Sequence, residues 1–384
     1  MDSTPSPAPG SGRISSIDAL RGFDMFWIIG GQQVVEALVR LFVSPIPTGI
    51  RTQMTHVPWE GFSAWDLIMP LFLFIVGAAM PFSFARRIEA GQSKPALYRK
   101  VLIRTVILFV LGMAAQGHLL DADLSTLHVY CNTLQAIACG YLIASIAILQ
   151  FRLFGQILLA LALLAGYGLL MLLVPFPGHG AGLWDEKMNL AMYIDELVLG
   201  RFRDGTAYTW ILSGMAFGAT VLLGVFSGHV LRAGTSGGKK VGWLLTIGVA
   251  CLGLGWAWSQ DWMGAWRCPM IKHLFTSSMV LWACGWSYLL LALFYLVIDV
   301  LRFRKWAFFF IVIGSNAILA YMGAHLIDFG RIADVFVGGM AHNILIPHGG
   351  LLRMIGEGLV SCTAFAIVWL ILWYLYRKGT LVRI

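Results

Sequence analysis

The sequence predicts an all-α protein that crosses a membrane about ten times. Three observations carry that reading. Hydrophobic residues make up 59% of the 384-residue chain against 12% charged, with mean hydropathy +0.78, too apolar for a fold wetted on every side. The apolar residues fall in runs close to the roughly 20 residues a helix needs to cross hydrocarbon. Glycine is abundant, at 43 residues, as suits helices that approach closely in lipid.

The runs place candidate spans at 17–42, 63–85, 101–119, 129–150, 153–175, 207–231, 241–259, 274–299, 306–328 and 352–376. Residues 1–14 read as a flexible tail, 15–378 as one membrane domain and 379–384 as a second tail. The first 12 residues lack the charged and apolar regions of a cleavable signal, so the first span is the expected insertion signal. Basic residues at 13, 86–104, 152, 232–240, 302–305 and 377–383 fall on one side. That bias makes both termini cytoplasmic and turns the 43–62 loop outward. An eleventh span near 331–347 would put the last basic cluster on the wrong side. The net charge of +8 therefore reads as topology and not as nucleic-acid binding. Six cysteines without a C-x-x-C pair indicate neither a zinc site nor a disulfide framework, and no metal is expected.

In the first span, Asp18, Arg21, Asp24, Ile28, Gln32 and Glu36 fall within a sector of about 120° at about 100° per residue. Such a stripe is costly against lipid and belongs in the bundle interior or along a wet path. Ser15 with Asp18 makes a capping box and Asp18 with Arg21 an i,i+3 pair, which leaves Gln32 and Glu36 unexplained.

The loop before the second span holds His56, Trp59 and Glu60. A histidine there can take a proton from an amine or hydroxyl, or accept an acyl group. It is also the kind of interfacial residue that sits beside an aromatic belt tryptophan. Ser63-x-x-Asp66 reads as a capping box, and Asp66 is equally placed to orient the histidine or hold an amine. Pro70 and Pro81 suggest kinks.

Gln135 in the fourth span is a lone buried amide that suits a helix–helix hydrogen bond. The loop at 176–206 contains a short interfacial helix near 192–197, able to cover an outward pocket. Lys272, His273 and Thr276-Ser277-Ser278 open the eighth span, where hydroxyls usually bond helix carbonyls but can also meet a substrate. In the ninth, Gly314, Ala317, Tyr321, His325 and Asp328 share a face with Asn316 nearby, grading from small to polar. The inner residues Arg21, Arg86, Arg99, Arg104 and Arg304 orient the protein and can also hold phosphates. There is no P-loop, H-E-x-x-H or dinucleotide fingerprint, and no internal repeat of the kind many transporters carry.

Ser16-Ile-Asp18-Ala-Leu-Arg21-Gly22 resembles the opening of the heparan-α-glucosaminide N-acetyltransferase family and its bacterial relatives. His56-x-x-Trp59-x-Gly61 followed by Asp66-Leu-Ile-x-Pro70-x-Phe72-x-Phe74-Ile75-x-Gly77 is similar to that family's most distinctive block. Leu134-Gln135, Tyr193-Ile194-Asp195 and Gly314-x-Asn316 with Tyr321 match weaker positions in the same order. The resemblance implies a transmembrane acyltransferase of a bacterial inner membrane. It would carry an acetyl group from cytoplasmic acetyl-CoA to an amino sugar or other saccharide on the periplasmic or extracellular side.

By motif, His56 matches the family's active-site histidine, and the family's asparagine one helix earlier falls at Gln32, a longer arm. The arginine that commonly follows Leu-Gln is Ala136 here. The large lumenal domain of the animal enzyme does not precede this core, so its polysaccharide substrate is not implied. The expected catalytic set is His56, Gln32 and Asp66, with Gln32 stabilising the oxyanion. Trp59, Glu60, Glu36, Lys272, Ser277, Asn316 and Tyr321 are expected at the acceptor, and Arg21, Arg86, Arg99, Arg104 and Arg304 at the coenzyme A phosphates. The expected partners are a saccharide, coenzyme A and the bilayer, with no nucleic acid; the sequence is compatible with a homo-oligomer. The rival class is a secondary transporter or permease for a small polar solute, using the same stripe.

Overall fold

The computed structural model describes residues 14–119, 121 and 123–382; residues 1–13 of the expected first tail and 383–384 of the second lie outside the described residues. The apolar runs become helices, since only a helix satisfies its own backbone where no water is present. In order they are α1 Ser15–Phe26, α2 Gln32–Phe42, α3 Thr48–Gln53, α4 Ile68–Glu89 and α5 Lys94–Gln116. Then come α6 Thr133–Gln150, α7 Leu153–Leu173, α8 Leu190–Leu199, α9 Gly214–Arg232 and α10 Gly237–Ser259. The chain ends with α11 Ser277–Tyr295, α12 Ala307–Ser315, α13 Ala317–Leu326, α14 Phe329–Met340 and α15 Gly350–Arg377. Among the described residues there are only isolated β-bridges and no strand.

Among the described residues, eight helical segments are long and apolar enough to cross a membrane, or nine if α12 and α13, bent by 74° at their junction, form one span. The remaining expected span lies in α5, which has 23 residues but carries Lys94, Arg99, Lys100 and Arg104. The segment weighed as an eleventh span instead forms α14, packed on α15. Its helical turns continue through Ala341–Leu345 and Ile346–His348.

Two close crossings hold the bundle. A Cβ on Gly77 would fall 2.0 Å from the Val221 carbonyl oxygen, and one on Gly224 would fall 2.1 Å from that of Phe74, so α4 and α9 touch backbone to backbone. Gly22 against Phe310 (1.7 Å) and Gly314 against Asp18 (2.1 Å) do the same for α1 and α12. By contrast α7, α10 and α15 leave residues such as Leu161, Val249 and Leu370 exposed, the apolar surface that lipid would cover.

The first span departs from expectation. Between α1 and α2 the chain leaves helical geometry at Ile29 and Gly30, the latter with φ +115°, a conformation that favours glycine. The sector computed for an unbroken helix therefore ends near Trp27. Its inner residues are buried, with Asp18 paired to Arg21 at 3.3 Å, while Gln32 and Glu36 belong to a separately oriented helix. The Ser15 capping box does not form: α1 is preceded by Ile14 with no side-chain cap, and the Ser16 N–H donates to Asp299 Oδ2 at 3.1 Å. The second capping box does form, with the Ser63 N–H donating to Asp66 Oδ2 at 3.0 Å. Pro70 lies in the first turn of α4, just after a 3₁₀ segment at Ala64–Leu67, and the helix runs on through Pro81.

Candidate active site

Loops from four parts of the chain meet at one end of the bundle. The loop before α4 lies against the loop before α11. The Gly61 N–H donates to the Met270 carbonyl at 2.8 Å, Glu60 bridges Ile271, and Arg267 forms an ion pair with Glu60. The second loop is fixed from behind by hydroxyls. Thr276 and Ser278 donate to the Pro269 carbonyl at 2.7 and 3.1 Å, and Tyr167 and Ser213 to the Leu274 carbonyl at 2.6 and 3.0 Å. Phe275 is held at φ +53°, a left-handed conformation costing a non-glycine residue about 1–2 kcal/mol. Its side chain, 2% exposed, packs in the core that offsets this strain. So anchored, the loop carries Lys272 inward until it is 6% exposed.

Lys272 meets His56 and Asp66. His56 Nδ1 lies 2.7 Å from Asp66 Oδ1, and Lys272 Nζ lies 3.0 Å from Nδ1, 3.3 Å from Nε2 and 3.5 Å from Asp66 Oδ1. The Asp66 side chain is 1% exposed and that of His56 43%, so the carboxylate is sealed behind a histidine that opens outward. The other Asp66 oxygen accepts from the Ser63 N–H at 3.0 Å, the Ser63 hydroxyl at 2.9 Å and the Val57 N–H at 3.4 Å. Capping and orientation are thus divided between its two oxygens. When Nδ1 carries the proton donated to Asp66, Nε2 is left as an acceptor. Burial lowers the Lys272 ammonium to about 8 against the opposing pull of Asp66. The face of Tyr208 lies 5.9 Å from Nζ, and burial, with the Asp66 charge, raises the Tyr208 hydroxyl to about 12.

His56, Lys272, Gln32 and Tyr321 line one cavity of about 500 Å³. Tyr321 donates to Asn132 Oδ1 at 3.0 Å, and that oxygen also accepts from the Leu134 N–H at 2.9 Å, capping α6. Gln32 is present, with its amide engaged within the chain. Its Nε2 donates to Glu36 Oε1 at 2.9 Å and to the Met54 carbonyl at 3.1 Å, which uses both N–H groups and leaves Oε1, an acceptor, to spare.

Several residues expected at the acceptor make contacts within the chain. Trp59 donates to the Trp184 carbonyl at 2.8 Å and stacks on His273, and Glu60 is held by Arg267. Burial and the adjacent Lys272 cation together hold His273 below its usual value. Ser277 donates to the Leu164 carbonyl at 2.7 Å, joining α11 to α7. Asn316 sits at the α12–α13 break and holds the C-terminal residues, donating to the Thr380 carbonyl at 3.1 Å and accepting from the Val382 N–H at 2.9 Å. Glu36 faces a neighbouring cavity. Gln135 bonds not across helices but to the loop before its own, donating to the Val129 carbonyl and accepting from the Cys131 N–H.

None of the five basic residues expected at coenzyme A lines the His56 cavity. Arg21 pairs with Asp18, Arg104 lies 4.5 Å over the Tyr141 ring, and Arg304 donates to the Ile298 carbonyl at 3.1 Å. Arg86 and Arg99 lie on different helices, α4 and α5.

The cavity also draws on residues that no motif marks. Asp204, Thr206, Tyr208 and Trp210 come from the connection between α8 and α9, so the loop containing the expected short helix does wall the pocket. Trp27, Trp65, Asn132 and His325 also line it. An aromatic loop ahead of an apolar helix is the only sequence signal for Tyr208 and Trp210, and it is one shared with many interfacial loops. Compared with known proteins, the chain matches no family model and no curated protein.

Proposed function

We propose that the chain is a membrane acyltransferase in which His56 acts as general base on an acceptor hydroxyl or amine. One observation carries this reading: a histidine pinned through Nδ1 to a sealed carboxylate, its ring 43% exposed and lining a cavity large enough for a sugar. Asp66 fixes the tautomer that leaves Nε2 basic, and Nε2 takes the acceptor's proton as the acceptor attacks the acyl carbon. The negative charge then developing on the acyl oxygen needs a donor. Gln32 has both N–H groups engaged, so this role passes to the Lys272 ammonium. Gln32 Oε1 and the Asn132 and Tyr321 pair supply polar contacts for the acceptor.

Acetyl-CoA, the donor implied by the family resemblance, would bring an activated acyl carbon; its carbon–sulfur bond would break as the new bond to the acceptor forms, and coenzyme A would leave as the thiol with the proton held on Nε2. On this reading the termini lie in the cytoplasm and the His56 end faces outward.

A second reading, proton-coupled solute transport, rests on Asp24. This residue is fully buried in α1, and its carboxylate has no hydrogen-bond partner among the described residues. Purified protein incubated with labelled acetyl-CoA and a panel of amino sugars and hydroxyl acceptors tests the first reading. Label should move to an acceptor, and wild-type transfer by folded His56→Ala protein would overturn the assignment. In proteoliposomes, solute accumulation driven by a pH gradient without acetyl-CoA would favour transport.

A further inference from the structure

Beside the His56 cavity lies another, of about 590 Å³, between α2 and the N-terminal turns of α15. The two share a partition: Gln32 lines the first, while its hydrogen-bond partners Glu36 and Met54 line the second. Three arginines face the second cavity, Arg40, Arg51 and Arg353, against two glutamates, Glu36 and Glu357. The glutamates are already taken. Arg353 Nε lies 2.9 Å from Glu357, and Arg40 lies 3.5 Å from Glu357 and 3.7 Å from Glu36. Arg51 is the surplus cation, since its guanidinium has no hydrogen bond or ion pair among the described residues while its backbone carbonyl holds Met54 and Thr55.

Exposed apolar side chains neighbour these charges along the chain. Phe42 is 86% exposed, and Val43, Ile50, Leu351 and Leu352 stand exposed next to the lining residues in the chain. An arginine cluster with exposed apolar side chains beside it in the chain, at the end of membrane helices, suits an anionic head joined to a hydrocarbon tail.

We propose that this cavity binds the phosphate of an anionic amphiphile, with Arg51 as its principal contact. The phosphate can come from a bilayer phospholipid or from a lipid-linked saccharide. This site stands whether or not the acyltransferase reading holds, because it rests on other residues.

The test uses purified full-length protein in a neutral detergent. Short-chain phosphatidylglycerol is titrated by native mass spectrometry and thermal shift, beside inorganic phosphate, short-chain phosphatidylcholine and a short-chain polyprenyl-phosphate sugar. Phosphatidylglycerol or the polyprenyl-phosphate sugar should bind more tightly than inorganic phosphate and phosphatidylcholine, and whichever binds tighter identifies the source. Losing one charge-assisted contact in Arg51→Gln should weaken that binding by about tenfold or more. The Arg51 side chain supports no other residue, so the variant should unfold like the wild type, and Arg51→Lys should recover part of the affinity. Inorganic phosphate binding as tightly as the amphiphiles would refute the tail requirement. Unchanged affinity in Arg51→Gln would refute the site.

Discussion

Replacing Asp66 by asparagine separates the two jobs this residue performs. An asparagine keeps one acceptor oxygen, which the Ser63 and Val57 N–H groups will claim. Its amide then faces His56 Nδ1 as a donor, which reverses the imidazole tautomer and puts the proton on Nε2. A base that already carries its proton cannot accept another from the acceptor. The transfer rate should therefore fall by about 10²–10⁴-fold, the usual worth of a positioned general base.

Stability should change much less. A buried ammonium stripped of its counter-charge would cost about 3–5 kcal/mol if it stayed charged. Lys272, however, already titrates near 8, one unit above neutrality. Discharging it at pH 7 costs only about 1.4 kcal/mol. Adding about 1 kcal/mol for the weakened cap gives a loss of about 2–3 kcal/mol, small enough for the variant to remain folded. The assay pairs labelled acetyl transfer with thermal unfolding in the same detergent. A folded Asp66→Asn protein that keeps more than about a tenth of the wild-type rate would refute the dyad as the working base.

If Lys272 must be charged to stabilise the acyl oxygen, activity should decline as pH rises through about 8. Lys272→Arg, charged at every working pH, should then lose that alkaline limb in a pH–rate profile even if its maximal rate is lower. Stability should show the opposite trend. Folding lowers the Lys272 pKa from 10.5 to about 8, so the native state binds fewer protons between those values, and wild-type stability should rise with pH across that window. Lys272→Met should flatten the slope in unfolding measured at both ends. Gly77→Ala forces a methyl to 2.0 Å from the Val221 carbonyl and should cost about 1–3 kcal/mol in thermal unfolding. Gly253→Ala, with open space around it, should be neutral or slightly stabilising. Glu60→Gln should leave the acceptor KM unchanged, because Glu60 holds Arg267 outside the cavity and a half-exposed pair is worth about 0–1 kcal/mol.

The sequence by itself determined whatever depends on neighbours a few residues apart. Apolar runs of spanning length fix the helices, and Ser63-x-x-Asp66 fixes where α4 is capped, because hydropathy and i,i+3 hydrogen bonds are local quantities. His56 and Asp66, ten residues apart, are close enough for their partnership to be one of the roles the sequence leaves open to Asp66, and the structure makes the contact. Lys272 was visible as a basic residue at the mouth of a span, but its arrival at His56 across 216 residues depends on the hydroxyl-anchored loop before α11. Tertiary structure also sets what the Gln32 amide meets: besides Glu36, one turn along its own helix, it donates to the Met54 carbonyl beyond the break at Ile29 and Gly30. A helical projection cannot foresee a break within its own helix. Ser277 and Asn316 have polar groups that any sequence reading would offer to a substrate, and packing gave both to neighbouring backbone instead. Composition and spacing state what a side chain can bond to, while the fold decides which partner reaches it first.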